Sequence, residues 1–218
     1  MTDETARHIN PECVAVKSQP SPPHWALTWA CALAGAEPTA CTRVPSNEVN
    51  QVHCLDFGGQ RLFLKFGPRL QPEYERLRWL EGRRLAPRPI GFTSEGSVDA
   101  LLTSAVAGDS LAALSASLPP QTIIARLATA LRDLHATSTT DWPLGGKGGV
   151  LVHGDACLPN FLFVGGHLSG YIDVGDMALA DPEVDLAAAV WSLQYNMGAG
   201  HGLAFLHEYG ALGQLKRA

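Results

Sequence analysis

Several features that define other protein classes are scarce in this sequence. The five cysteines are odd in number and show no paired spacing, which argues against a disulfide framework or a zinc ribbon. Lysine and arginine total 16 against 21 acidic residues, for a formal net charge of −5, and they form no basic stripe. A nucleic-acid partner is therefore not expected.

Long apolar runs are also missing. The apolar stretch near the start, Trp25 to Ala36, is too short to cross a membrane and predicts a helix packed on the N-terminal part. The first residues are polar and acidic, without the basic start and apolar run of a targeting signal, so we expect a cytoplasmic protein with no membrane partner. Residues 1–24 predict a flexible tail. A hydrophobic content of 46% excludes disorder as a general description.

The segment 152–173, VHGDACLPNFLFVGGHLSGYID, carries most of the chemical information. Residues 161–164 and 167–172 favour β-strands. Between them Gly165-Gly166 can supply the positive φ angles of a two-residue turn. The segment therefore predicts a β-hairpin.

The register of this hairpin follows from the turn. If Val164 pairs with His167, counting outward places Asn160 opposite Tyr171. Asp173 then lies on the same face as Asn160, as a diagonal neighbour at roughly 7–8 Å. One hard cation would fit between the two side chains.

An amide and a carboxylate beside a third acid are typical of a phosphoryl-transfer centre. Magnesium prefers oxygen ligands and is usually held by one or two side chains together with substrate phosphates. Asn160 and Asp173 are the predicted metal ligands, and Asp155 is the third acid. The alternative is an ordinary hairpin whose flanking acids cap turns.

The same residues resemble a known family. His153-Gly154-Asp155 with Asn160 five residues after the acid, followed by Ile172-Asp173-Val174-Gly175, is similar to the catalytic loop and metal-binding motif of the aminoglycoside phosphotransferases. HGDACLPN in particular resembles the 3′- and 3″-kinases. The resemblance spans about residues 40–210 and implies a kinase-like fold, ATP and Mg²⁺, with Asp155 as the catalytic carboxylate.

Such a fold needs an N-terminal lobe that holds ATP. Arg61–Phe66 predicts a strand that carries Lys65, which resembles the lysine that contacts the α- and β-phosphates. In the helix predicted for residues 72–82, Glu73 lies on the apolar face and needs a cation, for which Lys65 is the candidate. Glu75 is the competing acid, although it points to another side. An exposed edge lysine is the alternative for Lys65.

Two further segments are candidate nucleotide contacts. In RVPSNEVNQV, residues 43–52, the resemblance implies a nucleotide-positioning loop, with Ser46 and Asn47 as candidates for backbone contacts to phosphate, although a plain hairpin turn explains it equally well. Residues 101–110 resemble the segment that joins two lobes. There the carbonyl of Ser104 and the amide of Val106 are the implied contacts to an adenine edge.

The C-terminal half predicts two long helices. Residues 120–136 place Ile124, Leu127, Leu131 and Leu134 on one buried stripe, and His135 is expected to be hydrogen-bonded in the core or at the helix end. A second, buried helix follows Asp181-Pro182-Glu183. In the family, Asp185 falls on a D-L-A motif, which implies that it braces the catalytic loop.

The region between these helices departs from the family. The glycine-rich run 145–149 does not match a P-loop, because the first glycine would fall at Asp141 and no Ser or Thr follows Lys147. Only 17 residues separate His135 from His153, where related kinases insert a helical segment. The chain also ends without the acidic terminus that those kinases direct at substrate amines.

The second helix departs from the family as well. Trp191, Tyr195 and Asn196 stand where relatives often carry charged residues. Since a polycationic antibiotic is recognised mainly by carboxylates, the expected recognition surface is thin.

The sequence as a whole predicts an α+β, protein-kinase-like, two-lobed fold. A small antiparallel-sheet lobe spans 25–103 and a mainly helical lobe 104–218. The predicted function is transfer of the ATP γ-phosphoryl group to a hydroxyl of an aminoglycoside or related amino sugar. A kinase of a small metabolite, such as an amino alcohol or a sugar, and a nucleotide-binding pseudokinase remain as alternatives.

Overall fold

Five antiparallel strands form the N-terminal sheet. The structure is a computed structural model that describes residues 21–45, 49–83, 86–145 and 148–211. The strands are β1 (Ala40–Val44), β2 (Gln51–Asp56), β3 (Arg61–Gly67), β4 (Pro89–Glu95) and β5 (Val98–Ser104). Their order is β1-β2-β3-β5-β4, so β3 is central.

The two faces of this sheet are used differently. In β3 the alternation of side chains buries Leu62, Leu64 and Phe66 on one face. Helix α1 (His24–Ala34) covers that face with Ala26 and Ala30. Lys65 projects from the opposite face, where helix α2 follows.

Helix α2 (Gln71–Leu80) packs into the larger hydrophobic core rather than into the core beneath α1. Its Leu77 and Leu80 are buried there, and Pro72 occupies the first turn, where its missing N–H costs nothing. The helix predicted over 72–82 therefore begins one residue earlier and ends two residues earlier in the structure.

The described C-terminal part combines helices with short strands. Its elements are β6 (Asp109–Ser110), α3 (Leu111–Leu114), α4 (Pro120–His135), β7 (Val150–Val152), β8 (Phe161–Val164), β9 (His167–Tyr171), β10 (Ala178–Ala180), α5 (Glu183–Met197) and α6 (Gly202–Tyr209). Strands β6, β8 and β9 form one small sheet, and β7 pairs with β10. The predicted stripe of α4 is buried as expected. Among the described residues, no helix is both long and apolar enough to cross a membrane.

The hairpin is present, but its predicted register is wrong beyond the first pairs. Val164 does pair with His167 around a Gly165-Gly166 turn with positive φ. Further out a β-bulge shifts the strands, so that Phe161, not Asn160, lies opposite Tyr171.

Ser169 accounts for the shift. It has no partner residue in β8, and its hydroxyl instead donates to the carbonyl of Ala107. Asn160 consequently lies in a 3₁₀ turn before the strand, where its carbonyl accepts from the amide of Ile172 at 3.0 Å.

Candidate active site

We call the segment from His153 to Asn160 the catalytic loop, after the family motif that it resembles. It brings Asp155 and Asn160 into direct contact. The Asn160 side-chain amide donates to the Asp155 carboxylate at 2.9 Å and to its backbone carbonyl at 3.0 Å. The amide oxygen of Asn160 takes no part in these two contacts. Asn160 is buried, so the pair is held in one arrangement.

Asp185 at the start of α5 braces this loop, as the family resemblance implied. Its carboxylate is fully buried and accepts from the backbone amides of His153 at 2.7 Å and Gly154 at 2.8 Å. Gly154 has φ +83°, and a Cβ there would lie 2.3 Å from the carbonyl oxygen of Asp176. Glycine is therefore required where the loop crosses the turn that follows Asp173.

His153 is a structural part of the loop and is neutral. Its Nε2 donates to the carbonyl of Ile172 at 3.1 Å, while Nδ1 accepts from the amide of Asp155 at 3.3 Å. An imidazolium ion could not accept at Nδ1. Burial also lowers the pKa of His153 below its ordinary value, and it outweighs the nearby carboxylates.

Lys65 of the N-terminal sheet contacts two acids, one in α2 and one that follows β9. Its ammonium group lies 2.7 Å from Glu73 and 2.9 Å from Asp173. The ion pair with Glu73 that the sequence predicted is therefore present. Glu75, the competing acid, instead accepts from Gln71 at 3.0 Å.

The charges in this cluster stabilise one another against the cost of burial. Burial alone lowers the pKa of Lys65, but Glu73 and Asp173 outweigh it and raise the pKa above its ordinary value. Burial raises the pKa of the Glu73 carboxyl, and Lys65 opposes that rise. Lys65 is thus a fixed cation beside an exposed carboxylate, because half of the Asp173 side chain remains accessible.

Asp173 has an unusual backbone conformation. Its φ of +54° and ψ of +54° belong to the left-handed region, which few non-glycine residues adopt. The turn after it packs against α2, where Arg76 donates to the carbonyl of Met177 at 2.6 Å. The position of Asp173 therefore depends on α2 as well as on the hairpin.

Asn160 and Asp173 fit a magnesium ion by their chemistry. Both offer oxygen atoms, and Mg²⁺ takes few protein ligands because substrate phosphates and water complete its shell. In the part of the chain that the structure describes, no group of three or more His, Cys, Asp or Glu side chains could hold a metal. Phosphates would have to supply the remaining ligands.

The structure describes the predicted contacts to adenine but not the predicted contacts to phosphate from residues 46 and 47. Ser104 ends β5, and both its amide and its hydroxyl are bonded to the backbone of Arg88 at 2.9 Å. Val106 follows in the link between β5 and β6. Ser46 and Asn47 lie outside the described residues.

Two connections were not predicted from the sequence. Ser192 in α5 accepts from the amide of Leu158 at 2.9 Å, which fastens the helix to the catalytic loop. Cys157 lies between Ser192 and Asp155, and burial followed by its hydrogen bond to Asp155 raises the pKa of its thiol to about 12. A polar residue on the buried face of an apolar helix was the available signal for Ser192.

The second connection links three helices. His135 at the end of α4 contacts the Asp185 carboxylate through Nε2 at 2.9 Å and the Tyr209 hydroxyl through Nδ1 at 2.7 Å. His135 is thus a hydrogen-bonded core histidine, as expected, and Tyr209 of α6 is the addition.

Known proteins resemble this chain in both sequence and fold. The family model described as "Phosphotransferase enzyme family" matches residues 142–218. An aminoglycoside 3′-phosphotransferase of Niallia circulans is 26% identical over 209 residues, which covers 72% of this chain and 80% of that protein.

Solved structures agree. The crystal structure of an aminoglycoside 3′-phosphotransferase of type VIII has a TM-score of 0.67 and 26% identity, covering 88% of this chain and 93% of its own. An aminoglycoside phosphotransferase of Streptomyces rimosus in complex with ADP and streptomycin has a TM-score of 0.68 at 20% identity, with coverage of 84% and 90%. The chain therefore resembles the aminoglycoside phosphotransferases in sequence and has a protein-kinase-like α+β fold similar to theirs.

Proposed function

We propose that this chain is an ATP-dependent O-phosphotransferase that moves the γ-phosphoryl group to a hydroxyl of a small molecule, with an aminoglycoside or related amino sugar as the acceptor. The observation that carries the proposal is the contact of Lys65 with both Glu73 and Asp173. A lysine of the sheet thereby meets an acid 108 residues later in the chain, next to the loop that holds Asp155.

Each residue has a proposed role in this reaction. Lys65, oriented by Glu73, binds the α- and β-phosphates. Asp155 orients the acceptor hydroxyl and accepts its proton late, because the transition state is loose and positioning dominates. A magnesium ion held by Asn160 and Asp173 would neutralise charge on the phosphates.

The adenine and the phosphates have further proposed contacts. The Ser104 carbonyl and the Val106 amide would meet the adenine edge, and Ser46 would contact a phosphate. The side chain and amide of Ser104 are already hydrogen-bonded, so only its carbonyl is proposed for the nucleotide.

The proposed location is the cytoplasm, where the phosphoryl donor is made.

The proposed acceptor class draws on the relatives. The matched Niallia circulans protein is an aminoglycoside 3′-phosphotransferase, and the Streptomyces rimosus structure contains ADP and streptomycin. A small amino alcohol or sugar is the second candidate. The uncharged stretch of α5 after Asp185 favours it, because that stretch offers no carboxylate to a polycation.

A phosphorylation screen tests the function directly. The purified chain is incubated with ATP, Mg²⁺ and one acceptor at a time, namely streptomycin, kanamycin, glucosamine or choline, and products are read by mass. We expect an acceptor-dependent product that carries one added phosphoryl group, and no product from Asp155→Asn. ATP binding without transfer to any acceptor would contradict the proposal and favour a pseudokinase.

A further inference from the structure

Four side chains join the C-terminal end of α2 to the segment between α4 and β7. The buried indole of Trp79 donates to the Asp141 carboxylate at 3.1 Å, and the same carboxylate pairs with the guanidinium group of Arg83. Trp142 meets the Trp79 ring edge to face, with ring centroids 5.0 Å apart. The Arg83 guanidinium also lies over the Trp79 ring, 5.0 Å from its centroid. We call Trp79, Arg83, Asp141 and Trp142 the α2 clamp.

The segment that supplies Asp141 and Trp142 is itself held in place. The Trp142 amide donates to the carbonyl of Thr139 at 3.1 Å, which closes a four-residue turn. The Trp142 side chain is partly buried and packs against the larger hydrophobic core. The turn belongs to the stretch of 17 residues that separates His135 from His153. It is therefore a firm support from which the two side chains reach α2.

The contacts within the α2 clamp differ in their exposure. The Asp141 side chain is 59% accessible and that of Arg83 41%, and exposed ion pairs of this kind stabilise a fold little. Trp79 is buried, and a buried indole N–H without an acceptor is costly. The Asp141 carboxylate therefore matters mainly as the acceptor of that indole, because it fixes the orientation of Trp79 and of the end of α2.

The same helix carries Glu73 near its other end. Trp79 is six positions after Glu73, which is about 9 Å along the helix axis. Glu73 accepts from Lys65 at 2.7 Å, and a shift of about 1 Å would take this contact beyond hydrogen-bonding distance. Between the two ends, Arg76 donates to the carbonyl of Met177 at 2.6 Å. A displacement at the α2 clamp therefore tilts the helix about that contact and moves Glu73 away from Lys65.

We propose that Asp141 is a positioning residue for nucleotide binding. By holding Trp79 and the end of α2, it keeps Glu73 paired with Lys65, so that the lysine stays directed at the α- and β-phosphates. This inference rests on the proposed function for the role of Lys65. The effect of Asp141 on ATP passes through Glu73, and it is separate from any effect on the stability of the fold.

A double-mutant cycle tests this path. Asp141→Ala is expected to weaken ATP binding about fivefold in the wild-type chain but less than about twofold in a Glu73→Ala chain, because the acid that the α2 clamp positions is then absent. Asp141→Asn keeps an oxygen acceptor for the indole and should recover most of the loss. Glu81→Ala is the matched control, since it removes an exposed carboxylate just after α2 that pairs with Arg78, and it should leave ATP affinity unchanged.

The measurement is made without turnover. Calorimetric titration with ATP and Mg²⁺ reports binding for each variant, and a urea midpoint shows that the fold persists. Arg83→Met changes an exposed side chain of the same cluster and should weaken ATP binding less than Asp141→Ala does. The same cycle with Arg83→Met gives the answer if Asp141→Ala does not fold.

The outcomes separate this inference from the proposed function. ATP binding that follows the cycle, without transfer to any acceptor, would keep the positioning role of Asp141 and overturn the kinase assignment. Unchanged ATP affinity in Asp141→Ala, or an equal loss in the Glu73→Ala chain, would overturn the positioning role whether or not phosphate is transferred. An absence of ATP binding to the wild-type chain would overturn both proposals.

Discussion

At the scale of single residues, Asp155 and Asp173 are both carboxylates, but they are held in different ways. Asp155 accepts from Asn160 inside the catalytic loop, whereas Asp173 contacts Lys65 and has an accessible side chain. The first arrangement suits a group that meets the acceptor. The second suits a group that meets a cation and phosphates.

Asp155→Asn should separate chemistry from binding. Because the acid is proposed to contact the acceptor hydroxyl, we expect ATP affinity to stay within about twofold while turnover falls by orders of magnitude. Calorimetry with an ATP analogue and an initial-rate assay measure the two quantities. Comparable turnover in the variant would refute the role of Asp155.

Asp173→Ala should weaken ATP binding only when Mg²⁺ is present. The proposed carboxylate ligand is lost, while Lys65 and Glu73 keep their ion pair. Titration of ATP with Mg²⁺ and with EDTA checks this difference. Equal ATP affinity for wild type and variant in the presence of Mg²⁺ would place the metal elsewhere.

Lys65→Ala should weaken ATP binding by at least about tenfold, and Glu73→Ala by less, because the acid acts only through the lysine. Glu75→Ala is the matched control, since Glu75 lies on the same helix and its carboxylate accepts from Gln71 instead of from Lys65. Nucleotide titrations rank the three variants. An effect of Glu75→Ala equal to that of Glu73→Ala would show that the wrong carboxylate was chosen.

At the scale of elements, the contacts of Asp185 join α4, α5 and α6 to the catalytic loop. His135 and two backbone amides surround the buried carboxylate, and Tyr209 in turn holds His135. Removing one donor leaves a buried charge less well compensated.

His135→Gln should lower the free energy of unfolding by about 1–3 kcal/mol, and Tyr209→Phe by about 0.5–1.5 kcal/mol. The two effects differ because His135 contacts the Asp185 carboxylate directly, whereas Tyr209 contacts only His135 in this network. Tyr195→Phe removes the hydroxyl of an exposed tyrosine and should leave the urea midpoint unchanged. A stability of Tyr209→Phe equal to that of wild type would show that α6 is not held through this contact.

At the scale of the whole molecule, α2 connects the sheet to the C-terminal part. Its Leu77 and Leu80 lie in the larger core, its Arg76 bonds to Met177, and the Trp79 indole donates to Asp141 at 3.1 Å. The geometry around Lys65 therefore depends on contacts from both halves of the chain.

The stability of the whole chain should depend on pH through His153. Its folded pKa lies below the unfolded value of about 6.5, so the unfolded state binds the proton more readily. The contribution is complete above that value and is lost as pH falls below it, by at most about 1.4 kcal/mol per pH unit. Urea denaturation at pH 7.5 and 5.5 should show a smaller drop for His153→Gln. Equal drops would contradict the assignment.

The sequence by itself determined which chemical groups the candidate site contains and most of the elements. The motif from His153 to Asn160, the Gly165-Gly166 turn and the stripe of α4 depend on local rules of turn conformation and helical period, which act over a few residues. The pairing of Lys65 with Glu73 also followed, because an acid on an apolar helix face requires a cation.

Only the tertiary structure decided the remaining geometry. The Ser169 hydroxyl donates to the carbonyl of Ala107, which lies in a distant segment of the chain. The resulting bulge places Asn160 before the strand instead of within it. The contacts of Ser192 with the catalytic loop and of Tyr209 with His135 likewise join residues far apart in the chain. Hydrogen bonds of this kind depend on how whole elements pack, and no local pattern encodes which buried polar groups will meet.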